Sequence, residues 1–226
     1  MDNERLAAFL HSFDHTLPPL LNQLEQEAKE DNVPIIRPQM QSLLRFLMTS
    51  IQPKRILEVG TAVGFSALFM STFAPKNCHI TTIERYDKYI AKAKEHFKLA
   101  GKMEEITLLE GDAAEVLKHL TENESYDFIF MDAAKGQYIY FLPELIRLLE
   151  TDGILVTDNV LQDGDILESR FAVARRNRTI HKRMRQFLYE VMHHEECISS
   201  VLPIGDGLTV SSKIDRNKKK IARENR

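Results

Sequence analysis

Five acidic residues each stand at or just after the end of a short apolar run, and runs of this kind are typical of buried β-strands. In an open parallel sheet, ligands bind beyond the carboxyl ends of the strands, so these acids are predicted to lie along one edge of a sheet. Any one of them could instead be a surface carboxylate or a helix cap. Because neighbouring carboxylates repel one another unless cations are present, the set predicts a cation at that edge. The five are Glu58, Glu84, Asp112, Asp132 and Asp158.

Asp132 and the pair Asp158-Asn159 supply the residue types that hold a divalent metal ion. Two carboxylates and one amide oxygen make a hard, oxygen-only set that suits magnesium, which keeps open positions for water or substrate. A turn that begins at Asp158-Asn159 is the structural alternative. Lys135 follows Asp132 by three residues, and a lysine beside a divalent cation and removed from solvent loses its proton more easily, so it is a candidate general base. The alternative is a loop lysine that pairs with an acid.

The stretch from Leu57 to Ser66 has the spacing E-x-G-x-x-x-G, in which Glu58 is followed by Gly60 and Gly64. Apolar residues before it and helical periodicity after it predict a strand, a tight turn and a helix. The third glycine of the dinucleotide pattern is missing, and Glu58 would repel a pyrophosphate. The turn therefore favours S-adenosylmethionine over a nicotinamide or flavin dinucleotide. A strand-to-helix turn that binds no ligand is the alternative.

Three further positions complete a predicted site for this cofactor. Glu84 comes 24 residues after Gly60, where an acid can accept hydrogen bonds from the ribose hydroxyls. Asp112-Ala113 is predicted to approach the adenine. Ser66 begins the following helix, and it is predicted to meet the amino-acid end of the cofactor because a helix amino terminus favours a carboxylate.

Short apolar strands alternate with helices through the middle of the chain, which predicts an α/β fold with a parallel sheet covered on both faces. Near the end, two further strands flank Gly205-Asp206-Gly207 and predict a hairpin with a three-residue turn. The strands are predicted at 55–58, 79–84, 106–110, 128–132, 154–158, 197–204 and 208–213, and the helices at 66–73, 88–100, 113–119 and 141–149.

Residues 1–52 are predicted to form a helical extension ahead of this core. Helical periodicity is broken at Pro18-Pro19, an extended linker covers 33–38, and a helix follows at 39–51. The cofactor-binding core is then predicted to run over 53–213. The basic composition of 214–226 predicts a disordered tail.

The composition is typical of a globular cytoplasmic protein. Hydrophobic residues make up 43% and charged residues 28% of the 226 positions. The first residues lack the basic and apolar regions of a secretory signal, and no apolar run approaches the roughly 20 residues of a membrane span. Neither a membrane nor a DNA partner is expected. Cys78 and Cys197 lack C-x-x-C spacing, so they predict buried thiols and argue against a disulfide framework and a zinc site.

A basic zone lies between Glu168 and Glu190 and contains no acid, although the net charge of the chain is −3. An anionic partner responds to local charge, so this zone is a candidate for contact with phosphates. A solvated helix face is the alternative. The candidate phosphate contacts are Arg175, Arg176, Arg178, Lys182, Arg183 and Arg185.

Together these motifs resemble the cation-dependent O-methyltransferases, the family that includes the catechol and caffeoyl-CoA enzymes. The resemblance is carried by 57–66, Thr82-Ile83-Glu84-Arg85, Gly111-Asp112-Ala113, 130–138 and 157–161. It implies a Rossmann-like class I methyltransferase whose seven-stranded sheet is mostly parallel and ends in the antiparallel hairpin. It also implies Mg²⁺ at Asp132, Asp158 and Asn159, with Lys135 and Asp132 as catalytic residues. The implied S-adenosylmethionine contacts are Met40, Gly60, Ser66, Glu84, Ala113 and Asp132, to which the motifs above add Glu58 and Asp112.

More closely, the run 132–138, the lead-in Val33-Pro34-Ile35, the basic zone and the run 203–208 resemble the bacterial tRNA 5-hydroxyuridine methyltransferases. This implies that the wobble uridine is converted to 5-methoxyuridine, with the tRNA anticodon loop held as an RNA ligand by the basic zone. One alternative is an O-methyltransferase of a small catechol or an acyl-CoA. Another is an RNA-binding module that has lost catalysis, against which the intact metal and lysine positions argue. The apolar N-terminal helices and the family both suggest a homodimer.

Overall fold

The computed structural model describes residues 5, 9, 12–13, 16–121 and 125–215. Most of the helix predicted ahead of Pro18, and the predicted tail from 216 onward, lie outside these residues. The helices are α1 Pro19–Glu30, α2 Pro38–Ile51, α3 Phe65–Phe73, α4 Asp87–Leu99, α5 Ala113–His119, α6 Tyr138–Leu148 and α7 Arg178–His193. The strands are β1 Arg55–Val59, β2 His79–Glu84, β3 Ile106–Glu110, β4 Tyr126–Met131, β5 Leu149–Thr157, β6 Cys197–Leu202 and β7 Leu208–Lys213.

The seven strands found in the described residues form one sheet in the order β3-β2-β1-β4-β5-β7-β6. β1, β4 and β5 pair in parallel, as do β2 and β3, whereas β7 runs antiparallel between β5 and β6. Strands buried on both faces lack polar alternation, and β4 shows this because Phe128 through Met131 are fully buried. The predicted mostly parallel sheet with a C-terminal antiparallel hairpin is therefore confirmed.

The chain divides into two compact units. The first comprises Met1–Lys54 and Thr61–Glu110, and the second comprises Arg55–Gly60 and Gly111–Arg226. In the first unit α1 and α2 each begin with a proline, whose fixed φ suits the first helical position. α2 buries Met40, Leu44 and Met48, which are spaced four apart on one helix face. Each fully buried side chain of this size stabilises the fold by about 1.5–3 kcal/mol.

In the second unit α6 and α7 pack against each other through aromatic rings. The fully buried Tyr138 meets Phe187 edge to face, with ring centroids 5.5 Å apart. This burial explains why α6 begins at Tyr138, three residues earlier than predicted, although Pro143 removes one helix donor.

The basic zone follows an amphipathic pattern, and a helix was predicted there only as the alternative to a phosphate-binding surface. A short 3₁₀ turn at Arg175–Asn177 leads directly into α7. α7 buries His181, Met184, Phe187 and Val191 on one side, at the spacing of an amphipathic helix.

Among the described residues, no helix is both long enough and apolar enough to cross a bilayer.

Candidate active site

Three oxygen atoms surround the ammonium group of Lys135. Its Nζ atom donates hydrogen bonds to Asp132 Oδ1 at 2.7 Å, to Asn159 Oδ1 at 2.9 Å and to the Tyr138 hydroxyl at 3.1 Å. The lysine side chain is only 26% exposed. Two of the three residues predicted to hold a metal ion therefore direct their oxygen atoms at one cationic atom.

Strand pairing explains why residues from two separate loops meet here. β4 and β5 are parallel neighbours that end in register, with Met131 opposite Thr157. The Asp158 N–H donates to the Met131 carbonyl at 2.9 Å, so Asp132 and Asp158 follow adjacent strand ends. This confirms that the two acids share one edge of the sheet, as their positions in the sequence predicted.

Asp158 and Asn159 form a sharp turn after β5. Asp158 is 4% exposed, and its Oδ1 accepts a 2.7 Å hydrogen bond from the Asn159 N–H. Asn159 has φ 55°, a left-handed conformation that asparagine tolerates better than most residues. The turn reading and the ligand reading of this pair are thus compatible, because the turn aims the Asn159 amide oxygen at Lys135.

The donor set suits a hard divalent cation. Two carboxylates and an amide oxygen are ligands that magnesium accepts, and the Asp132 and Asn159 oxygens already converge on a positive charge. Among the described residues no group of three or more His, Cys, Asp or Glu side chains is placed to bind a metal. The fit of this edge to magnesium therefore depends on the amide oxygen of Asn159 joining the two carboxylates.

Tyr138 connects the two loops, and the sequence analysis did not assign it a role. Its hydroxyl donates to the Asp158 carbonyl at 3.1 Å and accepts from the Ala133 N–H at 3.3 Å. The same oxygen accepts from Lys135 Nζ. An aromatic residue three positions after a candidate lysine, on the same face of one helical turn, was the available signal.

The protonation of this cluster follows from its contacts. Burial by itself lowers the pKa of Lys135, but Tyr138 and the Asp132 carboxylate outweigh burial and raise the pKa well above the ordinary lysine value. Burial raises the pKa of Tyr138, although Lys135 opposes this. The arrangement thus stabilises an ammonium group and a neutral phenol. The general-base role assumed a metal cation beside the lysine, and it stays a prediction.

Glu84 secures the glycine turn in the first unit. Its Oε2 accepts a hydrogen bond from the Ala62 N–H at 2.9 Å, and its Oε1 accepts from the N–H groups of Arg85 at 2.8 Å and Tyr86 at 3.0 Å. A carboxylate oxygen has two lone pairs, so Oε2 keeps acceptor capacity for a ribose hydroxyl. The same unit contains Met40 and Ser66, which are 3% and 9% exposed.

The other predicted cofactor residues lie in the second unit. Gly60 has φ 107°, and a Cβ there would lie 2.1 Å from the Asp132 carbonyl oxygen, so only glycine fits. Glu58 is fully buried at the end of β1. Asp112 caps α5 through a 2.9 Å hydrogen bond from the Ala114 N–H, which is the helix-cap alternative, and Ala113 is the first residue of α5.

The basic zone divides into two groups. Arg178 donates to the carbonyls of Val173 and Phe171, and Arg185 donates to that of Ile166, so both hold the preceding loop. Arg183 donates to the Gly136 carbonyl at 3.2 Å and lies 5.1 Å from the centre of the Tyr140 ring. It therefore braces the loop that carries Lys135. Of the six candidates, Arg175, Arg176, Lys182 and Arg185 are exposed to solvent, whereas Arg178 and Arg183 are half-buried.

The sequence of this chain matches a known protein family and several of its members. A family model described as O-methyltransferase matches residues 11–214. A catechol O-methyltransferase of Niastella koreensis is 33% identical over 135 residues, which cover 59% of this chain and 61% of the relative, less than two thirds of its length. A caffeoyl-CoA O-methyltransferase of Stellaria longipes is 30% identical, covering 76% of this chain and 73% of the relative.

Solved structures agree with these sequence matches. A methyltransferase of Podospora anserina, bound to SAH, superposes with a TM-score of 0.85 at 26% identity and covers 94% of this chain and 95% of its own. The O-methyltransferase TomG of Streptomyces achromogenes has a TM-score of 0.82 at 20% identity, covering 95% of this chain and 100% of its own. At that identity the likeness to TomG shows the fold alone.

Proposed function

Since this chain belongs to the O-methyltransferase family, we propose that it transfers the methyl group of S-adenosylmethionine to a hydroxyl that has a second oxygen beside it. The observation that carries the proposal is the convergence of Asp132 and Asn159 on Lys135 Nζ at the ends of two parallel strands. Oxygen ligands and a lysine at such an edge suit an acceptor with two adjacent oxygens.

Asp132, Asp158 and Asn159 are the residues that would hold magnesium. The ion would supply Lewis-acid chemistry there, which makes an acceptor hydroxyl more acidic. Asp132 and Tyr138 orient Lys135, whose ammonium group would donate a hydrogen bond to the acceptor oxygen. The predicted role of Lys135 as the base that takes the acceptor proton requires the neighbouring cation to lower its pKa. Holding the acceptor oxygen in line with the methyl group supplies the remaining rate enhancement.

The methyl donor is assigned to the residues around the glycine turn. The absence of a third glycine, the left-handed Gly60 and Gly64, and the Glu84 carboxylate at the end of β2 all support S-adenosylmethionine. The Podospora relative, which carries SAH, supports the same assignment. The proposed contacts are Met40, Glu58, Gly60, Ser66, Glu84, Asp112, Ala113 and Asp132.

For the acceptor we favour 5-hydroxyuridine at the wobble position of tRNA. Its 5-hydroxyl and 4-carbonyl are adjacent oxygens and present the same chelating edge as a catechol. The exposed Lys182 lies on α7, whose Arg183 braces the Lys135 loop, and the exposed Arg175 and Arg176 lie on the 3₁₀ turn that leads into α7. These three side chains can meet the phosphates of a single-stranded loop. A small catechol or acyl-CoA is the second candidate, favoured by the names of the relatives.

One experiment separates these acceptors. The enzyme is incubated with S-adenosylmethionine, magnesium and one of three acceptors, and the products are measured by mass spectrometry. The acceptors are catechol, caffeoyl-CoA and a tRNA that contains 5-hydroxyuridine. We expect 5-methoxyuridine in the tRNA. Fast catechol or caffeoyl-CoA methylation without any 5-methoxyuridine would overturn the tRNA assignment, and no methylation of any acceptor would overturn the reaction.

Two triple charge-reversal variants test whether the basic zone contacts tRNA. Arg175→Glu, Arg176→Glu and Lys182→Glu together should raise KM for tRNA at least tenfold, because each phosphate contact is electrostatic, and should weaken its salt dependence. The matched control reverses three exposed lysines elsewhere, Lys76, Lys98 and Lys118, and should leave KM for tRNA near that of the wild type. Equal effects from both triple variants would show that net charge alone matters.

A further inference from the structure

His96 is a buried histidine that belongs to neither the proposed metal ligands nor the proposed cofactor contacts. It lies on α4 and is 3% exposed. Its Nδ1 atom is 2.7 Å from the carbonyl oxygen of Val63. A carbonyl oxygen can only accept a hydrogen bond, so Nδ1 carries the proton and donates. This side chain therefore connects α4 to the turn between β1 and α3.

That turn has a conformation that needs support from outside. Gly60, Ala62 and Gly64 all have positive φ, at 107°, 44° and 83°. Ala62 has a Cβ, so its left-handed conformation costs on the order of 1 kcal/mol. Such a turn persists only where surrounding groups hold it.

Each of the residues 61–64 has such a support. The N–H of Thr61 donates to the Ile83 carbonyl at 3.2 Å, and the N–H of Ala62 donates to Glu84. The Gly64 N–H closes the turn on the Thr61 carbonyl at 2.8 Å. The Val63 carbonyl is the group that His96 holds.

α4 also limits the turn sterically. A Cβ built on Gly64 would lie 2.6 Å from Cε1 of Phe97, the residue next to His96. The helix thus touches the turn at Gly64 and binds it at Val63. These two contacts lie on the two residues that precede α3, whose first N–H groups lack partners within the helix.

The opposite side of the imidazole ring faces α1. His96 Nε2 lies 3.8 Å from Glu27 Oε2, and Glu27 also forms an ion pair with Lys92 one turn earlier on α4. Among the described residues Nε2 has no hydrogen-bond partner. The ring is therefore held by its Nδ1 bond, with the carboxylate on its other side.

We propose that His96 is a positioning residue for the S-adenosylmethionine site, which acts by holding the Val63 carbonyl and so the start of α3. This inference rests on the proposed function, because it takes S-adenosylmethionine as the ligand of the turn. His96 does not touch the reacting atoms. Its loss changes the affinity for the methyl donor and leaves the methyl-transfer step unchanged.

Two amide substitutions at His96 distinguish the loss of the Nδ1 hydrogen-bond donor from a change in side-chain volume. In His96→Asn the amide nitrogen takes the place of Nδ1, whereas in His96→Gln it lies near the place of Nε2 and cannot reach Val63. We expect the Kd for S-adenosylmethionine, measured by calorimetry, to rise about tenfold in His96→Gln, as for the loss of one buried hydrogen bond, and to stay within about threefold of wild type in His96→Asn.

His181→Leu is the matched control. His181 is also 3% exposed and also bonds a backbone carbonyl, that of Glu168 at 3.1 Å, but it lies on α7. This variant should lose stability without a change in the Kd for S-adenosylmethionine. In His96→Gln we expect KM for the methyl donor to rise while kcat at saturating donor stays within about twofold of wild type.

The outcomes distinguish the inference from the function on which it rests. If wild type binds S-adenosylmethionine and all three variants bind it equally well, the positioning role is wrong. Equal weakening in His96→Asn and His96→Gln would assign the effect to side-chain shape and would also overturn it. If wild type itself does not bind S-adenosylmethionine, the proposed function fails instead.

Discussion

Replacing Tyr138 with Phe removes one oxygen atom from the centre of the candidate active site. The ring keeps its edge-to-face contact with Phe187, so the core loses little apolar packing. The Asp158 carbonyl loses a donor at 3.1 Å, and the Ala133 N–H loses an acceptor at 3.3 Å. Lys135 loses one of the three oxygens around its ammonium group.

The cost can be worked from those lost partners. A buried polar group left without its hydrogen bond costs about 1–3 kcal/mol, and the longer Ala133 contact contributes at the low end, so we expect a loss of about 2–3 kcal/mol. In a chain of this length each kcal/mol corresponds to about 2–4 °C in Tm. The Tyr138→Phe variant should therefore melt about 5–10 °C below the wild type.

The assay is thermal unfolding of the two proteins without metal, together with Mn²⁺ titration as a probe of the ligand loops. We expect Mn²⁺ affinity to fall about threefold to tenfold, because the phenol no longer ties the Ala133 loop to the Asp158 loop. Tyr140→Phe is the control, since Tyr140 is 56% exposed on the same helix and its ring stays beside Arg183. If both variants melt within 1 °C of the wild type, the phenol does not hold the two loops.

Asp158→Ala should abolish methyl transfer while S-adenosylmethionine still binds by calorimetry; full turnover of the wild type in excess chelator would exclude the metal role. Because the pKa values of Lys135 and Tyr138 are raised, the folded chain keeps protons that the unfolded chain releases near pH 10. The contribution of these two groups to the free energy of unfolding, measured in urea, should therefore be constant below about pH 9 and should fall above about pH 10. A flat profile to pH 11 would contradict this. Gly60→Ala places a Cβ 2.1 Å from a backbone carbonyl oxygen, so it should lower the free energy of unfolding by more than about 2 kcal/mol. Gly101→Ala, also at positive φ but in open space, should lower it by only about 1 kcal/mol. Chemical denaturation of both variants measures the difference.

Local patterns explain why much of this fold could be predicted. Apolar runs that end in an acid identified the ends of β1, β2, β4 and β5, because strand burial and strand termination are encoded in neighbouring residues. The spacing of Gly60 and Gly64 identified the turn for the same reason. Element ends were less certain: β5 begins at Leu149, five residues before its predicted start, and α6 begins three residues early.

The partners of the polar side chains could not be read in this way. Asp112 caps a helix, and Glu84 accepts three backbone N–H bonds, although both resembled ligand residues in the sequence. Arg178 and Arg183 are half-buried and donate to backbone carbonyls, so the basic zone presents fewer exposed charges than its composition indicated.

The sequence by itself determined the order along the chain of the strands and of the helices other than α7, the residue types at the sheet edge and the resemblance to a family. Only the tertiary structure decided that Lys135 meets Asn159, 24 residues away, that Tyr138 joins their loops, and that His96 holds Val63, 33 residues away. The physical reason is that secondary structure depends on neighbours in the chain. A hydrogen bond depends on which atoms packing brings within about 3 Å.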